Sequence, residues 1–106
     1  VYNKLVRDKI PDIIKKNNEE CIITTLNEEE YKKALEDKLV EELHEVLESA
    51  GNNRIEELSD MIEVITSLAK LEGKTLNDVI EASSKKKEKR GGFDNKIFLV
   101  KVTTKE

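Results

Sequence analysis

A chain of 106 residues, 37% hydrophobic and 40% charged, has room for one domain with a lean core, which excludes a second catalytic module and favours a homodimer or higher homo-oligomer. Its net charge of -4 is unevenly divided: residues 1–27 carry 5 basic and 4 acidic groups (+1), 28–81 carry 6 and 16 (-10), and 82–106 carry 8 and 3 (+5). An acidic middle with a basic end suits a site where carboxylates hold cations and Lys or Arg meets phosphate, although solvated helix faces give the same imbalance. Apolar runs such as 97–100 fall far short of the roughly 20 residues that span a bilayer. The mixed charge of Lys4, Arg7 and Asp8 is unlike a signal peptide, and the single Cys21 cannot form an internal disulfide, so a cytoplasmic location without membrane contact is expected.

Glycine and the one proline punctuate sparingly, so long regular elements are expected. Pro11 opens a short first helix reaching about Asn17. Residues 21–26, rich in β-branched side chains, read as a strand with Cys21 buried in it. Asn27 with Glu30 forms a capping-box pattern for a second helix running to about Ala50. Gly51 stops that helix, and Asn53 with Glu56 repeats the pattern for a third, ending near Gly73. Thr75 with Asp78 opens a fourth, broken by Gly91 and Gly92 after Arg90, and residues 96–102 read as a second strand. The expected fold is all-α: one domain over residues 1–106, an antiparallel helical bundle with a small two-stranded β ribbon joining the chain ends. Tyr2, Phe93 and Phe98 are expected to pack, with the covering of a base as the alternative for Phe93 after the two glycines.

Projected at about 100° per residue, the second helix places Leu35, Leu39, Leu43, Val46 and Ala50 on one stripe. Glu42 falls inside it and Glu45 at its border. The third helix carries a wide arc of Leu58, Met61, Ile62, Val64, Ile65 and Leu68, with Glu57 inside and Asp60 at the edge. Ionised carboxylates turned inward are costly without partners, so the cluster calls for cations. Glu42/Glu45 and Glu57/Asp60 are i,i+3 pairs, each on one helix face. Counted outward from the turn near Asn52, the two pairs lie level within about 3 Å at 1.5 Å per residue. Four such oxygen donors suit Mg²⁺ or Mn²⁺ and poorly suit zinc. His44 lies opposite the stripe and reads as a surface residue, while Glu56 and Asp78 read as capping residues.

The EELHE segment at 41–45, followed by ELSD at 57–60, resembles the EExxE and ExxD signature of the all-α nucleoside triphosphate pyrophosphohydrolases. That superfamily holds MazG-like enzymes, dimeric dUTPases and phosphoribosyl-ATP pyrophosphatases. YNKLVRDKIPDII at the start and KKKEKRGGFDNKIFL at the end resemble the two ends of a small MazG-like group, so the resemblance covers nearly the whole chain. The eleven residues between Glu45 and Glu57 are fewer than relatives commonly have. The resemblance implies metal binding by Glu42, Glu45, Glu57 and Asp60, with Glu41 as either an outer-shell group or a base that orients the attacking water. It also matches Lys86 and Arg90 to basic positions, where phosphate binding is the natural role. Lys4, Arg7 and Lys9 are expected to bind phosphate likewise.

The expected activity is Mg²⁺-dependent hydrolysis of a nucleotide between its α- and β-phosphates. The alternatives are the phosphoribosyl-ATP pyrophosphohydrolase of histidine synthesis, whose glycine-serine-tyrosine-threonine segment is not visible here, and a non-catalytic helical module binding a structural ion or a basic partner. A nucleic-acid binder using the basic run at 85–90 is disfavoured by the negative net charge and by the lack of interleaved aromatics.

Overall fold

The computed structural model describes residues 3–105, in which four helices succeed one another: α1 (Ile10–Lys16), α2 (Glu28–Glu48), α3 (Gly51–Leu71) and α4 (Leu76–Arg90). Pro11 stands in the first turn of α1, where its missing N–H costs nothing. Asn27 caps α2 as its sequence predicts: its side chain accepts from the Glu30 N–H at 2.9 Å, and Glu30 Oε1 accepts from the Asn27 N–H at 3.1 Å. Thr75 and Asp78 exchange the equivalent pair of bonds at the start of α4.

The turn between α2 and α3 is tighter than the sequence pattern implies. Ser49 closes α2 by donating its hydroxyl to the Val46 carbonyl at 2.9 Å, and Ser49 and Ala50 are both extended. Gly51, at a φ of +58° that glycine adopts without a Cβ penalty, then starts α3. The expected cap at Asn53 does not form: Asn53 and Glu56 lie inside the helix, and Ala50 precedes it without a side-chain cap. Arg54 steadies the turn by donating from Nε to the Ser49 carbonyl at 3.0 Å.

This turn lays α3 back along α2, and the pair forms the centre of the molecule. Among the described residues its buried positions are Leu35, Val64, Ala69 and one carboxylate, Glu42. Leu43, expected on the inner stripe, is exposed; the inward phase of α2 passes through Glu42 instead. Leu58 and Ile62 likewise face out on α3. Among the described helices α4 packs on α3 alone, and beyond the half-buried Leu76 its residues are exposed.

The expected β ribbon is absent among the described residues: 21–26 and 96–102 carry no strand, and Cys21 is half-buried in irregular chain. A strand needs a ladder partner for its backbone groups, and two strands alone are marginal. Phe93 and Phe98 are exposed rather than packed, and Tyr2 lies outside the described residues. The molecule measures 70 × 33 × 23 Å with a radius of gyration of 18.8 Å, where a compact chain of this length would have about 13 Å. Its accessible surface is 10158 Å², against roughly 6,000 Å² for a compact monomer of this mass. None of the described helices is long and apolar enough to cross a membrane.

Candidate functional site

The central helix pair is antiparallel, so equal steps toward the turn on α2 and α3 keep residues facing each other. Leu35 and Glu42 are seven residues apart on α2, and Val64 and Glu57 are seven apart on α3. Seven residues are about two helical turns, so the seam that buries Leu35 and Val64 runs on into two glutamates. Glu42, Glu57 and Asp60 each bring a carboxylate oxygen within 4.8 Å of the others. Glu45 is exposed and stands outside that trio, but it is near enough to act on Glu57.

Glu42 is only 4% exposed, and its Oε2, like Glu57 Oε2, is buried with no hydrogen-bond partner among the described residues. An unpaired buried polar atom carries its full desolvation cost, of about 1 to 3 kcal/mol in general and more for a charged group. The titration of the cluster reflects this crowding. Burial, and then the charge of Glu45, push the Glu42 carboxyl upward despite the nearby Lys38 ammonium. The hydrogen bond to Glu45, burial, and the charges of Glu45, Asp60 and Glu42 push Glu57 up to about 7.

Glu41 behaves oppositely. Burial favours its neutral form, but hydrogen bonds from Lys4 and Lys38 outweigh burial and hold it below the usual carboxylate range. Lys4 Nζ reaches Glu41 Oε1 at 3.1 Å, and Lys38 Nζ reaches Glu41 Oε2 at 3.2 Å and Glu42 Oε1 at 3.7 Å. Arg7 Nη2 lies 2.8 Å from Asp60 Oδ1, and Nη1 lies 4.0 Å from Glu63 Oε1. The segment before α1 therefore bridges both helices, with Lys4 on α2 and Arg7 on α3.

The structure brings together Glu41, Glu42, Glu45, Glu57, Asp60, Lys4 and Arg7 of the sequence-predicted residues. It does not bring in Lys9, Lys86 or Arg90, which are exposed and make no ion pair or side-chain hydrogen bond among the described residues. His44 is exposed, as expected. Sequence reasoning missed Lys38 and Glu63. Lys38 carried a legible signal, since it stands one turn before Glu41 and Glu42 on the same helix face; Glu63 became relevant only through the long-range approach of Arg7.

An all-oxygen, all-carboxylate donor set, with two orphaned oxygens, fits a hard divalent ion such as Mg²⁺ or Mn²⁺. Beside Glu41 a depression of ≈ 90 Å³ is lined by residues including Lys4, Ala34 and Lys38; ligand pockets usually begin at about 300 Å³. Compared with known protein families, curated proteins and solved structures, the chain has no match.

Proposed function

We propose that this protein is a divalent-cation-dependent nucleotide pyrophosphohydrolase, converting a nucleoside triphosphate-type substrate to the monophosphate and pyrophosphate, as its resemblance to MazG-like enzymes implies. The observation that carries the reading is the convergence of Glu42, Glu57 and Asp60 from two helices, with buried oxygens left unpaired, beside the cationic side chains of Lys4 and Arg7. Glu42, Glu57 and Asp60, joined by Glu45, would hold Mg²⁺ or Mn²⁺, which supplies charge neutralisation at the phosphates and activation of the attacking water.

The chain's own residues supply the rest. Lys4 and Lys38 keep Glu41 ionised, so its carboxylate can orient the attacking water by accepting a hydrogen bond from it, while the water's proton passes to solvent. The water oxygen bonds to the α-phosphorus, the bond from that phosphorus to the bridging oxygen breaks, and pyrophosphate leaves. Lys4 and Arg7 place positive charge where the anionic substrate approaches.

A homodimer or larger assembly is part of the proposal. The accessible surface of 10158 Å² exceeds that of a compact monomer by about 4,000 Å² per chain, more than the roughly 1,000 to 2,500 Å² that each partner buries in an obligate interface, so a second copy has ample surface to cover. Exposed Leu43, Leu47, Ile55, Leu58 and Ile62 on the central pair supply the apolar face. Lys86 and Arg90 would meet phosphate from a neighbouring copy, since within one chain they have no acidic partner among the described residues and α4 does not touch α2.

The smallness of the depression beside Glu41 favours one competing reading, a non-catalytic module whose carboxylates hold a structural ion. Assaying a panel of canonical, deoxy and damaged nucleotides for Mg²⁺-dependent pyrophosphate release separates the two. Release from at least one nucleotide, lost in Glu42→Gln, supports the enzyme; silence across the panel from protein that still binds Mn²⁺ supports the module.

A further inference from the structure

We infer that Arg7 is a positioning residue that competes with the cation for Asp60 and passes to Glu63 when the cation is held. The inference rests on the metal-site reading above and adds an internal counter-charge to it. Asp60 serves two neighbours at once. One of its oxygens lies within 4.8 Å of carboxylate oxygens of Glu42 and Glu57, while Oδ1 accepts a hydrogen bond from Arg7 Nη2 at 2.8 Å. A guanidinium and a divalent cation on one carboxylate repel each other, so filling the cluster weakens the Arg7–Asp60 pair. That the cluster takes a cation is argued independently by Glu42, whose side chain is 6% exposed and whose Oε2 has no partner.

The arginine has a second seat within reach. Glu63 stands three residues beyond Asp60, on the same face of α3, and its Oε1 lies 4.0 Å from Arg7 Nη1. Closing that gap takes a small rotation of a side chain that is 54% exposed, so little packing resists it. Lys4, paired with Glu41 at 3.1 Å, keeps the segment against α2 while Arg7 exchanges partners. The guanidinium thus stays beside the cluster in both positions, available to an incoming phosphate, and its charge resists filling of the site.

Mn²⁺ titration by calorimetry on the full chain tests this, with Arg7→Gln, Glu63→Gln and the double variant compared with wild type. Removing a unit charge several ångströms from a divalent ion should tighten binding on the order of 10-fold in Arg7→Gln. Arg7→Lys, which keeps the charge, should stay near wild type. Glu63→Gln should weaken binding because Arg7 then stays on Asp60, and that loss should vanish in the Arg7→Gln background, a non-additivity that mere long-range attraction to Glu63 cannot produce. Unchanged or weaker binding in Arg7→Gln, or additive effects in the double variant, would overturn the exchange while leaving the cation site standing. Absence of Mn²⁺ binding by folded wild-type protein would overturn the site itself and the exchange with it.

Discussion

Glu45 of α2 acts on Glu57 of α3 across the helix pair, and together with burial and the neighbouring charges it favours the protonated form of Glu57. That proton makes stability depend on pH in a direction opposite to that of an ion-paired carboxylate. Glu57 is raised from 4.5 to about 7, so between those values the folded chain binds more protons than the unfolded one, and stability is present at the acid end and lost as pH rises through 7. Glu42, also raised, acts with the same sign. Glu41 and Asp78, both lowered, stabilise in the opposite sense, but theirs is lost only below the ordinary carboxylate range. Thermal melts in a chelator should therefore show Tm falling from pH 5 to pH 8; a Tm that rises over that interval would refute the raised Glu57.

A cation should reverse this behaviour, because a ligand that binds only the folded state stabilises it. The Tm gain from millimolar Mg²⁺ or Mn²⁺ should be larger at pH 8 than at pH 5.5, where the proton competes for the same oxygens. Glu42→Gln and Glu57→Gln keep side-chain volume while removing one of several crowded negative charges. Each should raise the chelated Tm at pH 8, retain helical circular dichroism, and lose most of the metal-induced gain together with turnover. A variant with full activity and an undiminished metal response removes that residue from the site.

Assembly can be read from mass. Light scattering at micromolar concentration should give at least twice 12.1 kDa, and Leu47→Glu with Ile62→Glu should drive the protein toward the monomer by burying charge in an apolar contact. A wild-type monomer would remove the neighbouring copy from the pocket.

Lys86→Ala and Arg90→Ala should impair catalysis more than they impair Mn²⁺ binding. A charge-assisted phosphate contact is worth about 1.5 to 3 kcal/mol, so losing one should lower kcat/KM by roughly 10- to 150-fold. If the contact acts in ground-state binding, KM rises; if it stabilises charge developing in the transition state, kcat falls too. Wild-type constants in both would leave the basic end of α4 as a solvated helix terminus.

The central helix pair and its inward carboxylates were legible because they depend on local periodicity and on one tight turn. Glu42 was readable within an apolar stripe, and Glu57 between Val64 and Leu68. The capping boxes at Asn27 and Thr75 formed because each needs only residues three apart. Asn53 failed on the same criterion, since Gly51 let the helix start before it. The strands at 21–26 and 96–102 failed for a different reason: β-branched composition speaks to a residue's preference, whereas a ladder needs a second segment at the right place. Leu43 and Glu42 are adjacent in sequence, and projection alone admitted both to one face; packing against α3 chose the carboxylate. The contacts of Lys4 and Arg7, 37 and 53 residues from their partners, lay beyond any local pattern.

The two-residue turn at Ser49 and Ala50 works as a ruler. Each residue added to or taken from a helix rotates the chain beyond it by about 100° and shifts it by about 1.5 Å, and a turn this short has no slack to absorb such a change. The register that sets Glu42 against Glu57 is therefore written partly in spacing, by Ser49, Gly51 and Arg54, and the constellation can be taken apart without altering a single acidic side chain. A change of length is therefore costly at the tip between α2 and α3, although Ala50 and Gly51 there are themselves exposed to solvent.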